Sequence, residues 1–336
     1  MNKKIIIFVS AVALLLGGFF YFRHQLYFSH GSEKNVVIFE IKKGEGNSLI
    51  AANLENKKLI SSRYYFYFYA YANHLLNRIM PGAYMLSGNL SIPEIMHAIT
   101  NPEAQAVKIT FPEGLTAKDM ATLLKKNNFD SEAFSQLVDN IPDSFRTRYA
   151  FLANPTVSSL EGYLFPDTYF FKKDLTVEAV AKKMLDNFEN KIDETLLGEL
   201  EKQNKKLTDV IILASIVEKE VPEATDMKIV AGIFENRLAV MMPLQSDATL
   251  SYILDDEIDS HTIEETRIVS PYNTYVNKGL PPGPIANPGM QAILAVIYPQ
   301  KTDYSFFLTS GAGAEKKTYY AKTYEEHLAN KQKAGL

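Results

Sequence analysis

Residues 5–22 of this 336-residue chain carry no charged side chain, and Arg23 and His24 close the run. An uncharged stretch of this length approaches the ~20 residues a helix needs to cross the hydrocarbon core of a bilayer. A core helix of a soluble domain would interrupt the run with polar positions. A secretory signal would have a shorter apolar core and a small-residue cleavage site. This run ends in Gly17-Gly18-Phe19-Phe20-Tyr21-Phe22, an aromatic ending suited to a membrane interface. The reading is an uncleaved single-pass transmembrane anchor over residues 5–22. Lys3 and Lys4 set residues 1–4 in the cytoplasm, with everything past residue 24 on the extracytoplasmic side. Residues 23–35 are polar and mixed, a linker that spans at most about 40 Å even when extended.

The rest of the chain can fill two domains, since 46% of its residues are hydrophobic and domains usually hold ~100–200 residues. Its 35 basic and 39 acidic side chains leave a net charge of −4, so no basic field is available for nucleic acid. There is no cysteine, which excludes disulfides, thiolate metal sites and Cys nucleophiles. The six histidines form no H-x-x-x-H pair and have no carboxylates at ligand spacing, so no metal is expected. No G-x-x-x-x-G-K-[ST] occurs, and Gly311-Ala312-Gly313 lacks the third glycine of a dinucleotide fingerprint, so no cofactor is expected either. A G-x-S-x-G nucleophile elbow is also missing.

Hydrophobic periodicity predicts a strand around Phe39-Glu40-Ile41, a turn at Lys43-Gly44-Glu45-Gly46, and a helix through Ile50, Leu54 and Ile60. About seventy residues later Ile109, Phe111, Gly114, Met120, Ala121, Leu124 and Phe129 repeat the pattern of Phe39, Ile41, Gly44, Ile50, Ala51, Leu54 and Leu59, as a duplicated strand–turn–helix unit would. Between the copies, Ser61-Ser62 can cap a helix rich in Tyr and Phe, buried on one side or free to stack on sugar rings, before a short strand around Tyr84. Helices are predicted over 131–139, 177–191, 207–221, 224–241, 289–298 and 323–329, with a strand over 305–309. The fold class is α+β.

The strongest constellation is the helix 207–221. From Val210 to Val217 its only non-aliphatic side chain is Ser215, so protein must surround it on every side. The first charge after that run is Glu218, placed above Ala214 and Ile211 at the rim of the core. Desolvation there favours the neutral acid, which suits a general acid at neutral pH. Position alone equally allows a carboxylate paired with a Lys or Arg. Glu220 lies about 200° around the helix, so the two carboxylates cannot act as a pair, and one of them is expected to face solvent.

Two further stretches have the chemistry of a sugar cleft: 161–169, E-G-Y-L-F-P-D-T-Y, and the Pro/Gly-rich loop that follows S-P-Y-N-T-Y at 270–275. Flat rings and side-chain amides suit pyranose faces and hydroxyls. These segments, with A-S-I-V-E-K-E at 214–220, L-Q-S-D-A-T at 244–249, G-L-P-P-G-P-I-A-N-P-G at 279–289 and A-K-T-Y-E-E-H at 321–327, make the chain resemble the YceG-like family of endolytic murein transglycosylases. In place of that family's frequent Gly-His pair before A-K-T stands Lys316-Lys317-Thr318-Tyr319-Tyr320.

The resemblance implies a LysM-like α/β domain over 36–105 and a larger mixed α+β catalytic domain over 106–336. It implies a membrane-anchored lytic transglycosylase of peptidoglycan glycan strands in the cell (inner) membrane, in contact with synthases or division proteins. Glu218 would be the catalytic residue, with Glu161, Tyr163, Gln245, Ser246, Asp247, Tyr272, Asn273 and Tyr275 binding substrate. Two other readings stand beside it: a muramidase-type hydrolase using Glu218 and Asp247, and a non-catalytic glycan-binding adaptor.

Overall fold

The computed structural model describes residues 3–29, 36–256, 258, 260–310 and 317–335. Gly311-Ala312-Gly313 and Lys316 lie outside the described residues, as does 30–35 of the expected linker. The chain divides into two units, Met1–Ile109 with Tyr169–Leu175, and Thr110–Thr168 with Thr176–Leu336. The fold is mixed α+β, with one N-terminal helix long and apolar enough to cross a membrane.

The first unit begins with that helix, α1 (Lys3–Tyr27). It runs past Phe22 into the stretch that composition suggested is linker. The reason is packing: Leu26 is buried in the unit's core, and Phe22 packs beside it. Strand β1 (Val36–Ile41) leads through a turn at Gly44 into α2 (Asn47–Asn56) and then the aromatic helix α3 (Arg63–Ala72). Ser62 caps α3 by accepting the Tyr64 N–H. Strand β2 (Gly82–Ser87) pairs antiparallel with β1, from Val36 opposite Ser87 to Ile41 opposite Gly82. This register puts Phe39 against Tyr84, both buried, and leaves Glu40 outside. Helix α4 (Ile92–Thr100) closes over the core with Ile95, Met96 and Ile99. Its Ser91–Glu94 capping box is complete. The chain leaves this unit along β3 (Ala106–Thr110) and returns along β4 (Thr168–Lys172), and the two strands form a second small sheet.

The repeat read from the sequence is a repeat of backbone conformation. β3 leads through Gly114 into α5 (Ala117–Lys126), as β1 leads through Gly44 into α2. Both glycines have positive φ, +82° and +78°, and the helices end before Lys58 and Asn128, also left-handed at +57° and +63°. Every matched apolar position is buried. The turns differ in surroundings. A Cβ on Gly44 would meet nothing within 4 Å, whereas one on Gly114 would lie 3.4 Å from Cγ of Glu218.

The second unit continues with α6 (Ser131–Asp139), α7 (Asp143–Arg148), α8 (Val177–Lys191) and α9 (Glu194–Lys202). Helix α10 (Leu207–Glu220) is the axis of this unit: Val210 through Val217 are all buried, against α11 (Ala224–Ala239), α12 (Asp247–Leu254) and α13 (Met290–Ile297). Each large aliphatic side chain there contributes roughly 1.5–3 kcal/mol. Ser215 is buried without cost, because its hydroxyl donates to the Ile212 carbonyl and accepts the Ile285 N–H. That second bond ties the Pro/Gly loop to the axis. Strands β5 (Phe306–Ser310) and β6 (Lys317–Ala321) form an antiparallel hairpin before α14 (Tyr324–Lys333).

Candidate active site

Glu218 occupies the last turn of α10, and the extended Val221 and Pro222 prevent the helix from continuing over it. It is half-buried. Its Oε2 accepts the Gly289 N–H at 2.9 Å, and its Oε1 makes no hydrogen bond among the described residues. Gly289 is the N-cap of α13, so the carboxyl lies between the negative end of one helix and the positive end of another. Burial raises its pKa above the ordinary carboxylate value, the Gly289 N–H opposes that, a nearby Glu113 carboxylate adds to it, and Lys219 opposes it.

Nothing in the sequence marks Glu113 for this place. It precedes Gly114 in the turn of the second repeat, and its carboxylate fills the space where a Cβ on Gly289 would be, so any larger residue at 289 would collide with it. Gly289 therefore has one carboxyl on its N–H and another against its Cα. In sequence, P-E-G reads as an ordinary turn, and only the fold carries it to the end of α10.

The loops around Glu218 are held by one amide. Asn287 Oδ1 accepts the N–H groups of Gly162 and Leu164 at 2.9 and 3.0 Å. Its Nδ2 donates to the Leu115 carbonyl at 3.0 Å and to Glu161 Oε1 at 2.7 Å. The backbone adds Gly114 N–H to the Asn287 carbonyl and Asn287 N–H to the Leu115 carbonyl, each 2.9 Å. Three loops, 113–117, 161–164 and 283–289, are thus joined at one fully buried residue. In the sequence Asn287 stands within G-L-P-P-G-P-I-A-N-P-G, where nothing local marks it for this role.

Glu161 is 6% exposed and accepts the Ala117 N–H at the start of α5 with both oxygens, 3.0 Å each. Burial pushes its carboxyl up to about 7, with the Asp119 charge in the same direction and the N–H groups of Ala117, Gly162 and Asn287 against it. Its surroundings open on both sides. A cavity of about 300 Å³ is lined by Glu161, Tyr163, Asp209, Tyr252, Tyr272 and Gly283. A groove of about 850 Å³ is lined by Glu161, Lys118, Asp139, Lys219, Tyr252 and Asp255. Lys219 brings the groove to the residue beside Glu218.

The other expected substrate residues divide between cavity and framework. Tyr163 is 2% exposed and packs on Phe151 and Phe188, with its phenol pKa raised by burial. Tyr272 packs on Tyr252 with ring centres 5.1 Å apart. Asn273 is fully buried, donating to the Thr266 and Ile268 carbonyls and accepting the Tyr275 N–H. Gln245 is exposed in a left-handed conformation, and its N–H donates to the Thr274 carbonyl. Ser246 donates to Glu220 at 2.5 Å, and Tyr275 donates to Asp247 at 2.7 Å. Glu218 and Glu220 thus engage different loops, as their angular separation required. Neither faces solvent fully, contrary to expectation, because the 244–249 segment covers Glu220; Lys219 is the exposed member of the trio. Asp247 is turned to Tyr275, and the carboxylate beside Glu218 is Glu113. Among the described residues no three His, Asp or Glu side chains are grouped to hold a metal ion.

Comparison with known proteins gives a consistent relationship. The chain is 34% identical over 334 residues to a Bacillus subtilis protein named endolytic murein transglycosylase, covering 95% of this chain and 91% of that one. It is 29% identical over 360 residues to a Streptococcus pneumoniae protein of the same name, covering 97% of this chain and 64% of that longer one. A crystal structure of a YceG-like protein from Listeria monocytogenes superposes with a TM-score of 0.62 at 32% identity, covering 88% of this chain and 99% of that one. The profile of the YceG-like family matches residues 39–333, and the chain belongs to that family.

Proposed function

We propose that this chain is a membrane-anchored lytic transglycosylase that cuts peptidoglycan glycan strands internally at the bond between MurNAc and GlcNAc. The observation that carries the reading is Glu218: a half-buried carboxyl whose pKa is raised mainly by burial, with one oxygen fixed by the Gly289 N–H and the other without a hydrogen bond among the described residues, next in sequence to Lys219, which lines a groove of about 850 Å³. The names of the Bacillus and Streptococcus relatives support the substrate class.

In this reading the protonated Glu218 gives its proton to the glycosidic oxygen. The bond from MurNAc C1 to that oxygen breaks, and GlcNAc leaves with a new hydroxyl. The positive charge that develops at C1 is stabilised by the Glu113 carboxylate. Glu218, now a carboxylate, takes the proton of the MurNAc C6 hydroxyl as that oxygen closes on C1. The product is a 1,6-anhydro ring, the acid is regenerated and no water is consumed. Glu161, Asn287 and Asn273 hold the loops that shape the cleft, while Tyr163, Tyr272, Gln245, Ser246, Asp247 and Tyr275 line or support it. The anchor over residues 5–22 keeps the enzyme at the extracytoplasmic face of the membrane, where glycan strands emerge, in reach of synthases or division proteins. The LysM-like domain over 36–105 adds glycan contact.

A hydrolytic alternative has its own support, since Glu113 supplies a second carboxylate near Glu218, the arrangement retaining and inverting glycosidases use. Incubating the full chain in detergent with uncrosslinked glycan strands, followed by mass spectrometry of the fragments, separates the readings. Anhydro ends support the transglycosylase and reducing ends the hydrolase; intact strands would leave only the adaptor.

A further inference from the structure

Helix α3 is aromatic on both of its faces. Phe66 and Ala70 enter the core, while Tyr64, Tyr67, Phe68 and Tyr71 are 77%, 41%, 52% and 72% exposed. Their spacing of i, i+3, i+4 and i+7 makes one continuous stripe along the helix. Isolated exposed apolar residues need no explanation, but a contiguous aromatic stripe does. Among the described residues Phe22 packs against it at Phe68, and the rest of the stripe stays exposed.

The stripe is fixed to the end of α1. Phe22 closes the uncharged run of residues 5–22, and its ring meets Phe68 at 4.9 Å and Tyr65 at 5.6 Å, both edge-on. Tyr27 meets Tyr69 edge-on at 6.3 Å, and Leu26 is buried in the same core. Helix α1 therefore enters the unit as one of its packed elements, with no hinge at Phe22. The depth at which the apolar run ends sets the depth of the stripe. Aromatic rings with an apolar body and a polar tip collect at that level, between acyl chains and water.

We propose that the exposed face of α3 lies in the lipid headgroup region, so that the first unit rests on the membrane surface as well as being tethered to it. The inference rests on the reading of residues 5–22 as an anchor. The occupant is the lipid interface; a glycan strand stacked on the same rings is the competing outcome.

The chain contains no Trp, so a single introduced Trp is the only one to report. Three full-length variants, Phe20→Trp, Phe68→Trp and Tyr71→Trp, are reconstituted in vesicles of zwitterionic and anionic lipid, with and without bromine high on the acyl chains. Phe20→Trp reports on the anchor alone. The expected result is that brominated lipid quenches all three, with Phe68→Trp and Tyr71→Trp losing several-fold more emission to it than to iodide in the water. Quenching of Phe20→Trp alone, with Phe68→Trp and Tyr71→Trp open to iodide, overturns the docking and leaves the anchor standing. Quenching of none of them overturns both. Emission at 68 and 71 that answers to added glycan strands and not to brominated lipid overturns the docking and assigns the stripe to sugar.

Discussion

The close approach of Gly289 to Glu113 makes a prediction that can be worked through. Gly289→Ala puts a methyl group where the Glu113 carboxylate lies, and since the atoms it meets are the end of a flexible, exposed side chain, Glu113 swings aside at little cost in stability. The backbone at Gly289 is in an ordinary extended conformation, φ −77° and ψ 171°, so the alanine adds no backbone strain. That swing carries the Glu113 carboxylate away from Glu218 and from the charge that develops in the reaction, and a charge at about 4 Å is worth about 1–4 kcal/mol between the dielectric of water and that of a protein surface. The expected loss of kcat/KM is then about 10- to 100-fold, at 1.4 kcal/mol for each tenfold. Glu113→Ala removes the obstacle along with its charge. In the double variant the alanine at 289 should cost almost nothing beyond what Glu113→Ala costs by itself. A cycle of the four proteins, measured as initial rates of strand cleavage, therefore predicts a coupling of at least about 1 kcal/mol. Strictly additive losses would refute the claim that the two groups compete for one space.

Other consequences follow from the same geometry. In the proposed mechanism protonated Glu218 is the active acid, and its pKa is raised in part by Glu113, so Glu113→Gln should move the alkaline limb of the kcat/KM profile to lower pH; an unmoved limb would separate the two carboxylates. Glu161, pushed up to about 7 against an ordinary value of 4.5, binds a proton more tightly folded than unfolded. Its contribution, about 3 kcal/mol at most, is complete below pH ~4.5 and is lost as pH rises through about 7. Urea midpoints across this range should fall in the wild type and fall less in Glu161→Gln. Asn287→Ala leaves the Gly162 and Leu164 N–H groups and the Glu161 carboxyl short of partners, at about 1–3 kcal/mol each, so a urea-unfolding loss under about 1 kcal/mol would contradict its role in joining three loops.

Local physics made much of the fold readable. Helices α6 and α8 have the bounds the periodicity gave, because Asp130 and Thr176 supply side-chain caps at their starts and the apolar spacing is regular. Helix α10 announced itself by being apolar all round. Short helices such as α7 and α12 did not, since six or eight residues carry too little period. The end of α1 is not legible because residues 23–27 read as linker until the core that Leu26 enters is known. At the candidate site, Glu218 was legible from its own helix. Glu113 and Asn287 were not, since each sits in a turn whose partners are far away in sequence, and nothing local records what the turn will face.

The central claim is that Glu218 serves as acid and then base, with the C6 hydroxyl of MurNAc as the attacking group. The full chain and its Glu218→Gln variant, incubated with uncrosslinked glycan strands in heavy-oxygen water, test it by mass spectrometry of the new ends. The account predicts anhydro ends free of heavy oxygen from the wild type and uncut strands from a folded Glu218→Gln. Heavy oxygen in the new ends, or cleavage by Glu218→Gln at the wild-type rate, would contradict it.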